Sequence, residues 1–98
     1  MKLAKYVKAV LDRKRYQIDY TDWLDTGELV SSVAFSVPNN TVASPLVVDG
    51  VALLPGNLGV QYYVSGGVDG HTYEIQALLT TALGQIRDDA ILMTIREP

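Results

Sequence analysis

Three segments between Val60 and Ile95 alternate apolar and polar residues, and turns that contain glycine separate them. The apolar positions are Tyr62, Val64, Tyr73, Ile75, Ala77, Ile91, Met93 and Ile95. A period of two puts such side chains on one face of an extended chain. The stretch therefore predicts three β-strands that each bury one face, and the rest of the chain has to fold around them.

A tyrosine opens the middle strand of the three. Tyr73 follows the turn at Asp69-Gly70. Immunoglobulin-type and fibronectin-type sandwiches place a tyrosine at such a corner, and its hydroxyl bonds back to the backbone across the turn. The same bond is expected here.

Earlier segments carry strand signals as well. Alternation predicts strands over residues 16–24 and 28–37, and Asp49-Gly50 between apolar runs predicts a hairpin. Counting all segments gives seven or eight short strands at sandwich spacing. We therefore predict an all-β, immunoglobulin- or fibronectin III-like sandwich over residues 16–98.

The first fifteen residues differ from the rest in charge. They hold six of the eight Lys and Arg residues but only one of the eleven Asp and Glu residues. Apolar residues at helical spacing predict a short basic arm over residues 1–15, helical over about three turns. The arm either folds on its own sandwich or reaches an acidic partner, and a membrane-surface helix is a third reading. In the second case Lys2, Lys5, Tyr6 and Lys8 are candidate interface residues.

Composition excludes several classes of function. The chain has 98 residues, no cysteine and a single histidine, His71. Cysteine chemistry and multi-histidine metal sites are therefore excluded, and no cofactor or metal is predicted. The acidic body disfavours nucleic acid, and no apolar run is long enough to span a membrane. The start of the chain lacks the apolar stretch of a signal peptide, so synthesis in a cytoplasm is expected.

Neighbouring carboxylates also bear on function. Asp88 and Asp89 are adjacent in a predicted strand, so their side chains point to opposite faces. One of them must face inward or lie on a bulge, and we expect solvation at a hairpin end or an ion pair between subunits. Neither arrangement provides the facing carboxylates of a glycosidase.

Outward-facing aromatic and apolar residues are a second set of interface candidates. If Tyr62 faces the core, then Tyr63 faces outward, as does Leu92 on the last strand. With Trp23, the only tryptophan, such residues on one sheet predict a docking patch.

Two stretches resemble a family of small virion proteins of tailed phages and prophages. Residues 16–37, Y-Q-I-D-Y-T-D-W-L-D-T-G-E-L-V-S-S-V-A-F-S-V, are similar to the family's opening, roughly Y-x-I-D-W-S-D-W-L-x-x-G-D-T-I-x-S-S-x-W-x-V. The later stretches V-Q-Y-Y-V-S-G-G-V-D-G-H-T-Y-E-I and L-L-T-T-A-L-G-Q-I-R-D-D-A-I-L-M-T-I resemble its strand ending in S-G-G and its final hairpin. The chain departs from the pattern at Tyr20, Phe35 and Glu28, and in a longer segment around Asp49.

The resemblance implies an immunoglobulin-like virion protein of the neck or tail, an adaptor that joins tail fibres to the tail tube or connector. It implies no catalytic residues. The shared positions are interpreted as turn and packing determinants: Asp19, Asp22, Trp23, Gly27, Ser65, Gly66, Gly67 and Tyr73.

Three function classes follow for testing. The first is a non-enzymatic adaptor in the virion, made in the host cytoplasm and assembled as a homo-oligomeric ring against portal, connector, tail-tube or fibre proteins. The second is a capsid decoration protein. The third is a module that binds carbohydrate or a host surface through Trp23 and Tyr63.

Overall fold

The computed structural model describes residues 2–96, and within them the chain forms seven β-strands and no helix. The strands are β1 (Lys2–Lys8), β2 (Lys14–Asp19), β3 (Val30–Ser36), β4 (Leu46–Leu53), β5 (Gly59–Gly66), β6 (Thr72–Thr81) and β7 (Ile86–Ile95). They form two sheets, a four-stranded one in the order β1-β7-β6-β3 and a three-stranded one in the order β2-β5-β4. The predicted all-β sandwich is confirmed.

The core lies between the two sheets. The alternating positions of β5, β6 and β7 supply most of it, and Tyr73, Ile75 and Met93 have no exposed surface. A second cluster around Tyr20 and Leu79 fills the end where β2 finishes. Burial of each such large side chain contributes about 1.5–3 kcal/mol. The period-two pattern therefore predicted the inward face of these three strands correctly.

The structure has a β-strand where the sequence pattern predicted a helix. Residues 2–8 form β1, which pairs parallel to β7 with Lys5 opposite Leu92 and Lys8 opposite Ile95. A helix of three turns is marginal alone, whereas a strand on the edge of β7 has a ladder for its backbone. Tyr6 also packs on the core, with its ring centroid 4.6 Å from that of Tyr16. The helix is wrong, and this part of the arm belongs to the four-stranded sheet.

The hairpin predicted at Asp49-Gly50 is also wrong. β4 runs through both residues and pairs with β5 on either side of them, with a register shift between Asp49 and Ala52. Gly50 has a φ of 59°, a backbone conformation that allows a β-bulge. The chain reverses only after β4, where Asn57 N donates to Leu54 O at 2.9 Å.

The tyrosine corner is present as a hydrogen bond. The Tyr73 hydroxyl accepts from the backbone N–H of Val68 at 2.8 Å and lies 2.7 Å from the hydroxyl of Thr41. The prediction that this hydroxyl bonds back across the turn is confirmed. The bond fastens the turn before β6 and the loop before β4 to the same buried side chain.

Candidate interaction surfaces

A tight turn after β2 presents Trp23 at one end of the sandwich. Asp19 accepts a hydrogen bond from the backbone N–H of Thr21 at 2.9 Å, and Trp23 N donates to Tyr20 O at 2.9 Å. Hydrogen bonds from Thr21, the side-chain one first, lower the pKa of Asp19. The turn residues thus act as the resemblance implied, by fixing the backbone that carries the tryptophan.

A buried ion pair lies beside Trp23. Arg87 Nε donates to both carboxylate oxygens of Asp89, at 2.9 and 3.0 Å, and Asp89 has no exposed surface. The guanidinium carbon of Arg87 lies 5.2 Å from the centre of the Trp23 ring, within cation–π distance. The prediction that one of two adjacent aspartates faces inward is confirmed. Solvation at a hairpin end or an ion pair between subunits was expected, but Asp89 is buried and pairs with Arg87 of its own strand.

These residues border a cleft of about 310 Å³. Its lining consists of Ile18, Asp19, Tyr20, Asp22, Trp23 and Arg87. Burial, reinforced by the nearby Asp89 carboxylate, raises the pKa of Tyr20, so its phenol stays protonated. The cleft combines an indole ring with the exposed carboxylates of Asp19 and Asp22 and with the guanidinium of Arg87.

A second buried carboxylate, Glu28, closes the same end of the molecule. Glu28 is 2% exposed and accepts hydrogen bonds from Thr81 Oγ1 at 2.6 Å, from Asp25 N at 2.9 Å and from Gln85 Nε2 at 3.0 Å. These bonds, that of Thr81 first, lower the pKa of Glu28. Glu28 therefore fastens the loop after β2 to the β6–β7 turn. Sequence reasoning missed this role, although Asp25 and Glu28 have the spacing of a capping pair.

Tyr63 is half-buried on the outer face of the three-stranded sheet. The guanidinium carbon of Arg13 lies 4.1 Å from its ring centre, and Arg13 also pairs with Asp49 at 2.9 Å. The ring predicted to be available for docking is thus covered on one side by Arg13.

Lys8 was a candidate interface residue in the case that the basic arm reaches a partner, but the structure buries it in its own sandwich. It is 3% exposed, and its ammonium donates to the carbonyl oxygens of Gly66 at 2.8 Å, Ala9 at 2.5 Å and Val10 at 3.3 Å. Three acceptors match the three protons of the ammonium, so the buried donors are hydrogen-bonded. Of the other candidates in β1, Lys5 is exposed and Tyr6 is half-buried. The backbone of Lys2 lies opposite Ala90.

The outward residues do not form one patch. Tyr63 lies on β5 and Leu92 on β7, in different sheets, so the two face opposite sides of the sandwich. Trp23 lies in the turn after β2. The side of Leu92 has other apolar residues that the sequence reasoning did not single out. We call the apolar residues on this outer surface of the four-stranded sheet the leucine face; they lie among polar residues such as Ser36, Glu74 and Gln76, and they are Ala34, Leu78, Ile86, Ala90 and Leu92.

No group of metal-binding side chains and no helix that could cross a membrane accompany these surfaces in the described residues. Within residues 2–96, no three His, Asp or Glu side chains are grouped so that they could hold a metal ion. The same residues contain no helix long and apolar enough to cross a membrane.

Comparison with known protein families favours one of the three function classes that the sequence predicted. A family model described as "Podophage GP4 fiber-tail adaptor protein gp77" matches residues 8–94. The chain belongs to this family. The match runs from the end of β1 to the end of β7, so it includes the Trp23 turn, the Glu28 network and the leucine face. This protein is a structural adaptor of a phage tail and a component of the virion.

Other comparisons bear on the fold alone. A search of curated protein sequences finds no match. Among solved structures, the chain is similar to the 2,6-sialyltransferase of Vibrionaceae Photobacterium sp. JT-ISH-224, in a ternary complex with CMP and lactose. The TM-score is 0.55 at 10% identity, over 100% of this chain and 18% of the sialyltransferase chain. The chain thus corresponds to less than a fifth of that enzyme, and the likeness carries no activity across.

Proposed function

We propose that this adaptor joins tail fibres to the tail tube or connector in the neck or tail, and that it does so without catalysing a reaction. The observation that carries the proposal is the family match over residues 8–94, which spans nearly the whole sandwich. An adaptor has to hold two partners at a fixed separation. A sandwich 43 Å long, with its loops hydrogen-bonded to its strands, suits that task.

The distribution of charge supports contacts at both ends. β2 begins beside the basic residues Arg13, Lys14 and Arg15, which we call the basic end, and it finishes beside Asp19, Asp22 and Asp25, the acidic end. All six side chains are exposed. Opposite charges at opposite ends favour head-to-tail contacts between copies, and such contacts close into a ring when the rotation permits.

The immunoglobulin-like character of the fold is part of the same proposal. In immunoglobulin domains, strands B, E and D form one sheet and strands G, F and C form the other. Lettered in chain order from B, the strands β2 to β7 have that arrangement, because β2-β5-β4 and β7-β6-β3 are neighbours. The hydroxyl bond of Tyr73 supports the assignment further.

A second candidate function is favoured by the cleft beside Trp23. An indole ring next to two carboxylates is also suited to a sugar, so binding of a host-surface carbohydrate is a rival proposal. The rival requires glycan binding by the purified protein that Trp23→Ala removes. The adaptor proposal, in contrast, does not require the purified protein to bind a glycan.

Cross-linking of intact virions with a lysine-reactive reagent tests the adaptor proposal. Lys5 and Lys14 are exposed and should link to fibre, connector or tail-tube proteins. Lys8 is buried and serves as an internal control that should not react. Links from Lys5 and Lys14 to the major capsid protein alone would contradict the proposal and favour capsid decoration.

A further inference from the structure

The cleft beside Trp23 combines an aromatic surface with negative charge. Asp19 and Asp22 are exposed in its lining, and the guanidinium of Arg87, which also lines it, is paired with the buried Asp89 at 2.9 Å. Because Asp89 balances the guanidinium, the two exposed carboxylates leave the cleft with a net negative charge. At about 310 Å³ it lies at the small end of the roughly 300–1,000 Å³ range of ligand sites. Such a cleft suits an apolar side chain that is accompanied by a cation.

The basic end presents such a side chain at the tip of a turn. Leu11 is 95% exposed and lies in the turn between β1 and β2, where Asp12 N donates to Ala9 O at 3.2 Å. Lys14 is exposed three residues further on, at the start of β2. A single leucine at the surface is ordinary. Here, however, an almost fully exposed leucine is accompanied by the charge that the cleft lacks.

This turn can fill the cleft of another copy only. β2 separates the turn from the cleft, and its six residues span about 17 Å. Leu11 therefore does not reach the cleft of its own chain. Contact between two basic ends or two acidic ends would bring like charges together, whereas contact between a basic and an acidic end brings opposite charges together. The charges thus favour a second copy in the head-to-tail arrangement.

We propose that Leu11 of one copy enters the Trp23 cleft of the next copy, and that Lys14 of the first pairs with Asp22 of the second. The inference rests on the head-to-tail assembly of the proposed function, and it assigns the residues that make this contact. Burial of Leu11 against the indole ring supplies apolar contact, and the ion pair sets the orientation. A pair of copies keeps one unoccupied basic end and one unoccupied acidic end, so assembly continues until a ring closes.

The size of the contact makes it weak in solution. The chain measures 43 × 22 × 18 Å, so its end is 22 by 18 Å across, and contact between two ends buries about 400 Å² per copy. The total of about 800 Å² is below the roughly 1,200 Å² of stable interfaces and is typical of transient ones. Copies held side by side in the virion meet at an effective concentration of about 1 mM or more, which compensates for the weakness.

Sedimentation of the purified full chain at up to about 1 mM tests the contact. We expect oligomers that grow beyond a dimer as the concentration rises. Leu11→Ser, which changes no buried residue, should weaken the association about tenfold, and Lys14→Glu should weaken it as well. Lys5→Glu is the matched control, because Lys5 is exposed but lies on β1 in the four-stranded sheet. It should leave the association unchanged.

Failure of this contact is distinguishable from failure of the adaptor role. Sedimentation uses no other virion protein, so a monomer overturns the contact and leaves fibre attachment standing. Cross-linking of virions tests fibre attachment, and its result does not depend on whether purified copies associate.

Charge exchange between two variants tests the pairing of Lys14 with Asp22. Lys14→Glu alone and Asp22→Lys alone should each associate poorly, and a mixture of the two should associate again, because opposite charges then meet at every contact. A chain that stays monomeric at every concentration would overturn the proposal. So would association that stops at a dimer, that tolerates Leu11→Ser, or that the mixture does not restore. A monomer that binds a glycan through Trp23 would assign the cleft to carbohydrate instead.

Discussion

Individual buried polar side chains determine the shape of the Trp23 end. Glu28 accepts hydrogen bonds from Asp25, Thr81 and Gln85. Asp89 pairs with Arg87, whose guanidinium lies near the Trp23 ring. A buried carboxylate is tolerated only when its oxygens are hydrogen-bonded or paired. These two residues therefore couple the loop after β2 to β6 and β7 through polar bonds.

The lowered pKa of Glu28 predicts a pH dependence of stability. A carboxyl with a lower pKa in the folded than in the unfolded state stabilises the fold fully above its unfolded value of 4.5. This contribution is lost as the pH falls through the folded pKa. We therefore expect the free energy of unfolding to drop as the pH falls below about 5, and Glu28→Gln to reduce the size of that drop.

Urea unfolding at a series of pH values measures this difference. Glu74→Gln removes a carboxylate from the outer face and is the control for a general change of charge. It should leave the slope of stability against pH close to that of the wild type. If the stability of Glu28→Gln falls with pH as steeply as that of the wild type, Glu28 is not the source of the pH dependence.

The residue-scale features divide into those that a pattern can predict and those that it cannot. Tyr73 was predictable, because its corner depends on a turn a few residues away. The ion pair of Arg87 with Asp89 was missed because alternation states only which face a residue occupies, not its partner. The burial of Lys8 was missed for a related reason, since its acceptor Gly66 lies 58 residues away in sequence.

At the scale of elements, β4 depends on one glycine. Gly50 has a positive φ, and a Cβ at this position would lie only 2.5 Å from Cδ1 of Tyr63. The bulge thus lets the Tyr63 ring pass close to the backbone, and the guanidinium carbon of Arg13 lies 4.1 Å from the centre of the same ring.

We expect Gly50→Ala to destabilise the protein by about 2–4 kcal/mol. Of this, about 1–2 kcal/mol comes from the left-handed backbone conformation, and the rest comes from displacing the Tyr63 ring. Thermal unfolding measures the total. Gly56→Ala is the matched control, because Gly56 has a φ of 83° and a Cβ there would have no other atom within 4 Å. It should show the backbone cost alone.

A double variant separates the two contributions. In a Tyr63→Ala background, Gly50→Ala should cost no more than Gly56→Ala does. A full-sized effect in that background would mean that the ring is not the source of the additional cost.

Strands were predictable where the period-two pattern fitted no other structure, as in β5, β6 and β7. They were mispredicted where two structures suit the same residues. The spacing of apolar residues in the first fifteen positions fits a helix, but the edge of β7 supplies a backbone ladder that a sequence pattern does not reveal. Asp49-Gly50 suits a hairpin turn and a bulge equally, and pairing of β4 with β5 on both sides selects the bulge.

At the scale of the whole molecule, the sandwich resembles a rigid spacer with distinct surfaces. The two ends of β2 carry opposite charge, and the outer faces of the two sheets mix apolar with polar residues. The overall class was predictable because strand number and turn spacing restrict the fold. The assignment of surfaces was not, since the separation of Tyr63 from Leu92 depends on which strands share a sheet.

The most direct test of the adaptor account is to image phage particles made without this protein. A stop codon in its gene, with the protein supplied from a plasmid as the control, gives particles for electron microscopy and for quantitative mass spectrometry of the fibre protein. The account predicts filled heads with a portal but without tail fibres, and recovery of fibres when the protein is supplied. Particles that keep a normal amount of fibre but have unstable capsids would contradict it.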